Sequence, residues 1–329
     1  NMADLARVLP QTEPSINLTL SALLLLCGFG IKAGYFPLFF WLPASYHTAS
    51  ITVSAIFAGL LTKVGVYACL RVFTLIFSVE DSGIREIVAV LAAGTMLFGV
   101  FGAAVQWDVR RILSFHIVSQ IGYMLLGIAV ATPLAVGAAV LYVIHHIVVK
   151  ANLFLIAGVI ARAGGSYHLK EVGGLYRGLP LLGLLFAVPA LSLAGLPPLS
   201  GFWAKFGVIK ASLDAGHIAL AATGLAVGLL TLYSMLKIWN EAFWKAAPAS
   251  SVAAEQTWRS DRKTQVLMLT PIAALAAITL TIGLWAEPFF EFSLRAGEQL
   301  LDKSAYIDAV FPPDIASAGE AASAGEAKP

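Results

Sequence analysis

Eight stretches of this chain are long and apolar enough to cross about 30 Å of hydrocarbon, and few folds can hold them. They cover residues 17–41, 51–78, 83–105, 109–131, 133–161, 179–213, 217–243 and 265–287, with no alternating strand pattern between them. Lipid offers no hydrogen bonds to a backbone, so runs of this length must close their own bonds as helices. The expected fold is an all-α polytopic membrane protein of about eight transmembrane helices. Composition agrees, with 59% hydrophobic and 12% charged residues against about 25% charged in a soluble domain. A globule of 329 residues with a mean hydropathy of +0.83 would expose large apolar patches.

The short connections carry a charge pattern. Arg110 and Arg111, then Arg162, Lys170 and Arg177, then Lys245, Arg259, Arg262 and Lys263 fall on alternate loops, while the loops with Glu80 and Asp81, with Pro133 and with Asp214 are poor in cations. Cation-rich loops mark the cytoplasmic side, so both ends of the chain are expected outward. The start, Asn1, reads as the beginning of a fragment, residues 1–16 as an outward loop, and residues 291–329 as an outward tail whose repetitive end is disordered. A net charge of +2 without a basic cluster gives no nucleic-acid footprint. Cys27 and Cys69 lie in apolar runs, as packing residues do, and provide neither a disulfide framework nor a thiolate metal site.

Two spans are interrupted. Gly28, Gly30, Gly34 and Pro37 crowd around Lys32 in the first, and Pro189, Gly195, Pro197, Pro198 and Gly201 precede Lys205 in the sixth. Proline removes a donor and clashes with the preceding turn, which frees backbone groups that only protein or a wetted cavity can satisfy at membrane depth. Two broken segments, each with a lysine, are expected of a transporter built from inverted repeats; simple kinking is the plainer alternative.

Lysine at the bilayer centre costs about 2.5–3.5 kcal/mol, and Lys32, Lys63, Lys150 and Lys205 all sit inside apolar runs. Snorkelling suffices for Lys210, Lys237 and Arg71, which lie near span ends. It is a poor account of Lys150, which has a mostly apolar run on each side. Tyr142, His146 and Lys150 follow at i, i+4 and i+8 and form one stripe along a helix. Neighbouring groups that cannot both hold a charge can pass a single proton between them. His145 diverges by about 100° from that stripe and reads first as a helix-contact residue. His116, beside Ser114, Ser119 and Gln120, either continues a wet path or bonds a neighbour, and Tyr46 and His47 are candidates to line an entry. No carboxylate lies deep in any span, so acidic partners for these lysines are expected from elsewhere.

Four long motifs resemble the proton-pumping antiporter-like family, which includes large membrane subunits of respiratory complex I, of membrane hydrogenases and of Mrp antiporters. They are the run from Gly28 through Lys32 and Pro37 to Arg71, the segment Asp108-Val-Arg-Arg-Ile-Leu-Ser-Phe, the segment His146-Ile-Val-Val-Lys-Ala-Asn-Leu-Phe-Leu, and the segment Leu196-Pro-Pro-Leu-Ser-Gly-Phe-Trp-Ala-Lys-Phe. The wording around Tyr46 and Tyr67 is most similar to the Mrp branch. This resemblance implies the C-terminal part of a fold with two inverted repeats, each with one broken helix. Residues 17–78 would end the first repeat, 79–246 would form the second, and 247–290 would be a cytoplasmic loop and the last helix. It also implies that Lys32, Lys63, Lys150 and Lys205 are the family's path lysines, that Lys32 pairs with a glutamate on an earlier helix, and that partner subunits complete a sodium/proton antiporter in the bacterial cell membrane. No cofactor or metal is implied, and protons and sodium are the substrates. Tyr142 stands where some relatives have histidine, and Asn152 where small apolar residues are usual.

The leading expectation is therefore a proton path through Lys32, Lys63, His146, Lys150 and Lys205, with His47, His116, Tyr142 and His145 as further candidates. A complex I or hydrogenase subunit is the alternative within the family. Outside it stand a haem carrier using His116, His145 or His146, a rocking solute carrier, and a passive scaffold. Adjacent histidines diverge, which disfavours a bis-histidine haem, and the dispersed lysines do not converge on one pocket.

Overall fold

The computed structural model describes residues 1–12, 15–77 and 83–311. Glu80 and Asp81, and the tail over 314–329 expected to be disordered, lie outside the described residues.

Among the described residues the regular structure is helical apart from one isolated bridge between Asp108 and His168. The helices are α1 (Met2–Val8), α2 (Ile16–Ala33), α3 (Trp41–Tyr46), α4 (Ile51–Leu75), α5 (Ile84–Val105), α6 (Val109–Val130), α7 (Pro133–Gly164), α8 (Leu175–Gly178), α9 (Pro180–Ala194), α10 (Ser200–Asp214), α11 (Ile218–Trp239), α12 (Ala249–Ser260), α13 (Arg262–Leu284), α14 (Ala286–Leu301) and α15 (Ser304–Val310). Seven of the expected spans are long, apolar helices, α11 among them with its π-helical extension to Trp244. The sixth expected span is not one helix but two halves, α9 and α10, of 15 residues each.

The centre of the bundle is α6 and α7. The 32-residue α7 starts on a Thr132 cap, whose hydroxyl accepts the Ala135 amide at 3.2 Å, with Pro133 fixing the first turn. It is apolar all round, as a helix packed on every side must be, and α4, α6, α10, α13 and α14 pack against it. The α5–α6 contact depends on small residues: a Cβ at Gly99 would lie 2.3 Å from the Ser119 amide nitrogen.

The loops sort to two ends. At one end, Lys237 donates to the Ala104 and Gln106 carbonyls, capping α5 beyond simple snorkelling, while Arg110 covers the Tyr167 ring and Lys245 donates to the Leu169 carbonyl. At the other, Arg85 donates to the Ala129 carbonyl at 3.0 Å and to His217 Nε2 at 3.0 Å. Arg71 lies over the Tyr306 ring, and Lys210 pairs with Asp214 on the surface.

Two expectations need correction. Residues 1–16 are not a plain loop, since Asn1 caps α1 by accepting the Ala3 and Asp4 amides. Nor is the segment after the last span simply a tail. In α14, Glu287, Glu291, Arg295 and Glu298 recur every three or four residues, and Ser293 and Gly297 are buried. Gly297 meets Gly137 of α7 so closely that a Cβ there would be 2.5 Å from the Gly137 amide nitrogen.

Candidate proton path

Both breaks are built alike. Helix α2 ends at Gly34 (φ +78°) and α9 at Gly195 (φ +95°), left-handed positions that favour glycine. Each break contains one cis X-Pro bond, Phe36–Pro37 and Pro197–Pro198. Each lysine is carried differently. Lys205, in the second turn of α10, is 5% exposed; its Nζ donates to the Ala194 carbonyl, the last of α9, at 3.0 Å and lies 4.9 Å from the Tyr123 ring centre. A helix C-terminus presents unpaired carbonyls and partial negative charge, which suits an ammonium in the absence of a carboxylate. Lys32, in the last turn of α2, is exposed on the surface of the chain.

Between the breaks lies a buried polar row. Lys63 on α4 is buried, and its Nζ donates back to the Ala58 carbonyl. Gly59 lets α4 approach α7 near the Ile147 carbonyl, next to His146. His146 is fully buried, and neither ring nitrogen has a hydrogen-bond partner among the described residues. Lys150, also fully buried, donates to the Leu113 carbonyl on α6 at 3.1 Å. His116 on α6 is buried with both nitrogens unpartnered among the described residues. His146 is within electrostatic reach of Lys63, Lys150, His145 and His116, and Lys150 is within reach of Lys63 and Lys205. The structure thus brings together Lys63, His146, Lys150, His116, His145 and Lys205. No Asp or Glu is buried among the described residues.

Three candidates have partners that spacing alone does not name. Tyr142 shares the stripe of His146, yet its hydroxyl donates to Gln120 Oε1 on α6 at 2.5 Å and its ring stacks on Tyr123 at 5.3 Å. His145 is a helix-contact residue, its Nδ1 lying 2.8 Å from Ser200 Oγ at the start of α10. His47 is half-buried and bonds locally, its Nδ1 lying 2.8 Å from the Pro43 carbonyl. Tyr123, Gln120, Ser192 and Ser200 are site neighbours that spacing along the chain does not single out as partners. Ser200 stands one residue before Gly201 of the quoted motif, at the start of a half-helix, which is the signal that was available.

A family profile described as NADH:quinone oxidoreductase/Mrp antiporter, transmembrane, matches residues 1–231, which include Lys32, Lys63, Lys150 and Lys205. The chain belongs to this family. It is 45% identical over 313 residues to the D-type subunit of the Na(+)/H(+) antiporter of Alkalihalophilus pseudofirmus, covering 94% of this chain and 62% of that protein. It is 38% identical over 314 residues to the protein of the same name from Bacillus subtilis, again covering 94% of this chain and 62% of that one. A chain of a solved Mrp complex from Dietzia sp. superposes with a TM-score of 0.84 at 36% identity, over 94% of this chain and 64% of the other. The chain therefore spans about six-tenths of the length of these relatives. Membership places the buried row in an antiporter-type membrane fold.

Proposed function

We propose that this chain carries protons as part of a subunit of a multisubunit monovalent-cation/proton antiporter, with sodium as the exported cation. The path runs through Lys32, Lys63, His146, Lys150 and Lys205, with the cation-rich end cytoplasmic and both ends of the chain outward in a bacterial cell membrane. The observation that carries the reading is Lys150: a fully buried amine with one carbonyl acceptor and no buried carboxylate among the described residues, within reach of two other lysines. Such an amine costs about 2.5–3.5 kcal/mol to insert, which a single carbonyl hydrogen bond offsets only in part.

A protonated lysine disfavours charge on its neighbour, so protons advance singly as each group's proton affinity responds to the next. Unpartnered nitrogens on His146 and His116 give the path sites that can donate or accept in either direction. The likeness to the two sodium/proton antiporter proteins supports antiport over the respiratory branch of the family.

The test is sodium-driven proton movement in everted membrane vesicles from cells producing the protein with its partner subunits. Lys63→Ala and Lys150→Ala are expected to bring antiport to background while the complex still assembles. Normal antiport in both variants would remove the mechanism. Proton movement that ignores sodium but follows electron transfer would move the chain to the respiratory branch.

A further inference from the structure

The start of α11 is held by a contact whose two halves respond differently to protons. Arg85, in the first turn of α5, donates from Nε to the Ala129 carbonyl at 3.0 Å and from Nη2 to the Val130 carbonyl at 3.4 Å. Both carbonyls belong to the last turn of α6, which stops at Ala131 in the left-handed region (φ +55°) and leaves them without helical partners. A guanidinium keeps its charge at any physiological pH, so this half stays made. The same Nη2 lies 3.0 Å from Nε2 of His217, the residue before α11. Arginine has donors only, so Nε2 must accept, and the ring in this contact is neutral with its hydrogen on Nδ1. Histidine is the side chain that gains its charge between about pH 5 and 8. A proton on Nε2 sets two N–H donors and two positive charges face to face, and this half comes apart.

The segment so fastened borders the second break. Helix α11 starts without a side-chain cap. A cavity of about 570 Å³ between α9, α10 and α11 is lined by Lys205, with Ile209, Gly224 and Gly228 in its wall. A Cβ at Gly228 would lie 4.0 Å from Lys205 Nζ and 3.8 Å from the Ala194 carbonyl oxygen that Lys205 bonds. The Gly224 carbonyl accepts the Tyr123 hydroxyl at 2.5 Å, and Lys205 lies over that tyrosine ring. The first three turns of α11 are thus both the wall of this cavity and the part of the helix that His217 ties to α5.

Resting on the path and orientation proposed above, we propose that Arg85 and His217 form a proton-operated latch on the outward end of α11. With the ring neutral, α11 is held against α5 and Lys205 is closed off, at 5% exposure. Protonation of His217 from outside breaks the bond to Arg85, frees the start of α11 and opens the cavity to the Lys205 amine. The proton on His217 is not itself carried across. Few other charges face the ring. Glu86 follows Arg85 on α5 and is exposed, and at the end of α10 Lys210 and Asp214 pair with each other. Helix α6 has no titratable side chain between Tyr123 and Ala131, α9 has none, and α11 has none before Tyr233. Glu80 and Asp81, before α5, lie outside the described residues.

The experiment varies pH on the outward side of the assembled complex at constant cytoplasmic pH. It reads antiport in vesicles and hydrogen exchange in the first three turns of α11, each compared with His217→Gln at the same pH. Glutamine keeps an acceptor for Arg85 and cannot gain a proton, so this variant carries the ordinary effects of proton concentration on both readings. The ratio of wild type to His217→Gln is expected to rise about tenfold in both between outward pH ~8 and ~5.5, the size of one lost charge-assisted hydrogen bond. For His217→Ala the same ratio is expected to be high at every pH. Ratios for the wild type that do not change with pH would overturn the latch, and exchange that responds without antiport would overturn its control of Lys205. Absence of sodium-driven antiport in the wild type would strike the transport reading instead, and exchange alone would then decide the latch. The 15N spectrum of the His217 ring in the unmodified protein does not depend on a variant folding. A neutral ring protonated at Nδ1 above neutrality supports the proposal, and one protonated at Nε2 overturns it.

Discussion

The two broken helices have the same signature in sequence and opposite surroundings in space. Each ends on a left-handed glycine, contains a proline turn and carries a lysine near by. Around the second break, α7, α11 and α13 close in, so Lys205 meets a freed carbonyl and an aromatic face inside the protein. Around the first, α4 packs close enough that a Cβ on Gly65 would be 2.5 Å from the Ala33 amide nitrogen, yet Lys32 beside it stays exposed. A break supplies unpaired carbonyls; only the elements that cover it turn them into a seat for a charge.

That contrast can be broken. If the first break is covered in the assembled complex as the second is within this chain, Lys32→Ala and Lys205→Ala lower antiport alike, by about a hundredfold or more, the size of a lost proton-transfer group. Vesicle assays decide this, and a Lys32→Ala variant that keeps its activity would confine the path to the stretch from Lys63 to Lys205. Glycines give smaller effects of opposite sign. An added Cβ at Gly201 would lie 1.9 Å from the Ser192 carbonyl oxygen, so Gly201→Ala should destabilise by about 1–3 kcal/mol. A Cβ added at Gly28, within α2, has nothing within 4 Å among the described residues, and Gly28→Ala should stabilise by about 0.5–1 kcal/mol. Thermal unfolding in detergent measures both, and equal shifts would mean that the breaks are equally packed.

Much of this was legible in the residues. Apolar runs mark the spans, Gly and Pro mark both interruptions, and of the four lysines that the apolar runs place inside, Lys63, Lys150 and Lys205 are buried while Lys32 is exposed. What could not be read was which helix covers which face. Periodicity orients a side chain on its own helix, so His145 diverging from the Tyr142 stripe was visible, but Ser200 as its partner, 55 residues away, was not. Tyr142 shows the same limit, since its hydroxyl turns to Gln120 on α6. Helix α14 escaped notice for a different reason. It is short and four of its residues are charged, although Phe290, Ser293, Leu294 and Gly297 already fall on one face.

The proposed path requires that His146, His116 and Lys150 share a row inside the bundle that water can bridge. A density map of the complex, sharp enough to show ordered water, tests it most directly. The expected result is water bridging the unpartnered nitrogens of His146 and His116 to the Lys150 amine and onward to Lys205. Dry, apolar packing between these groups, each isolated from the next, would contradict it.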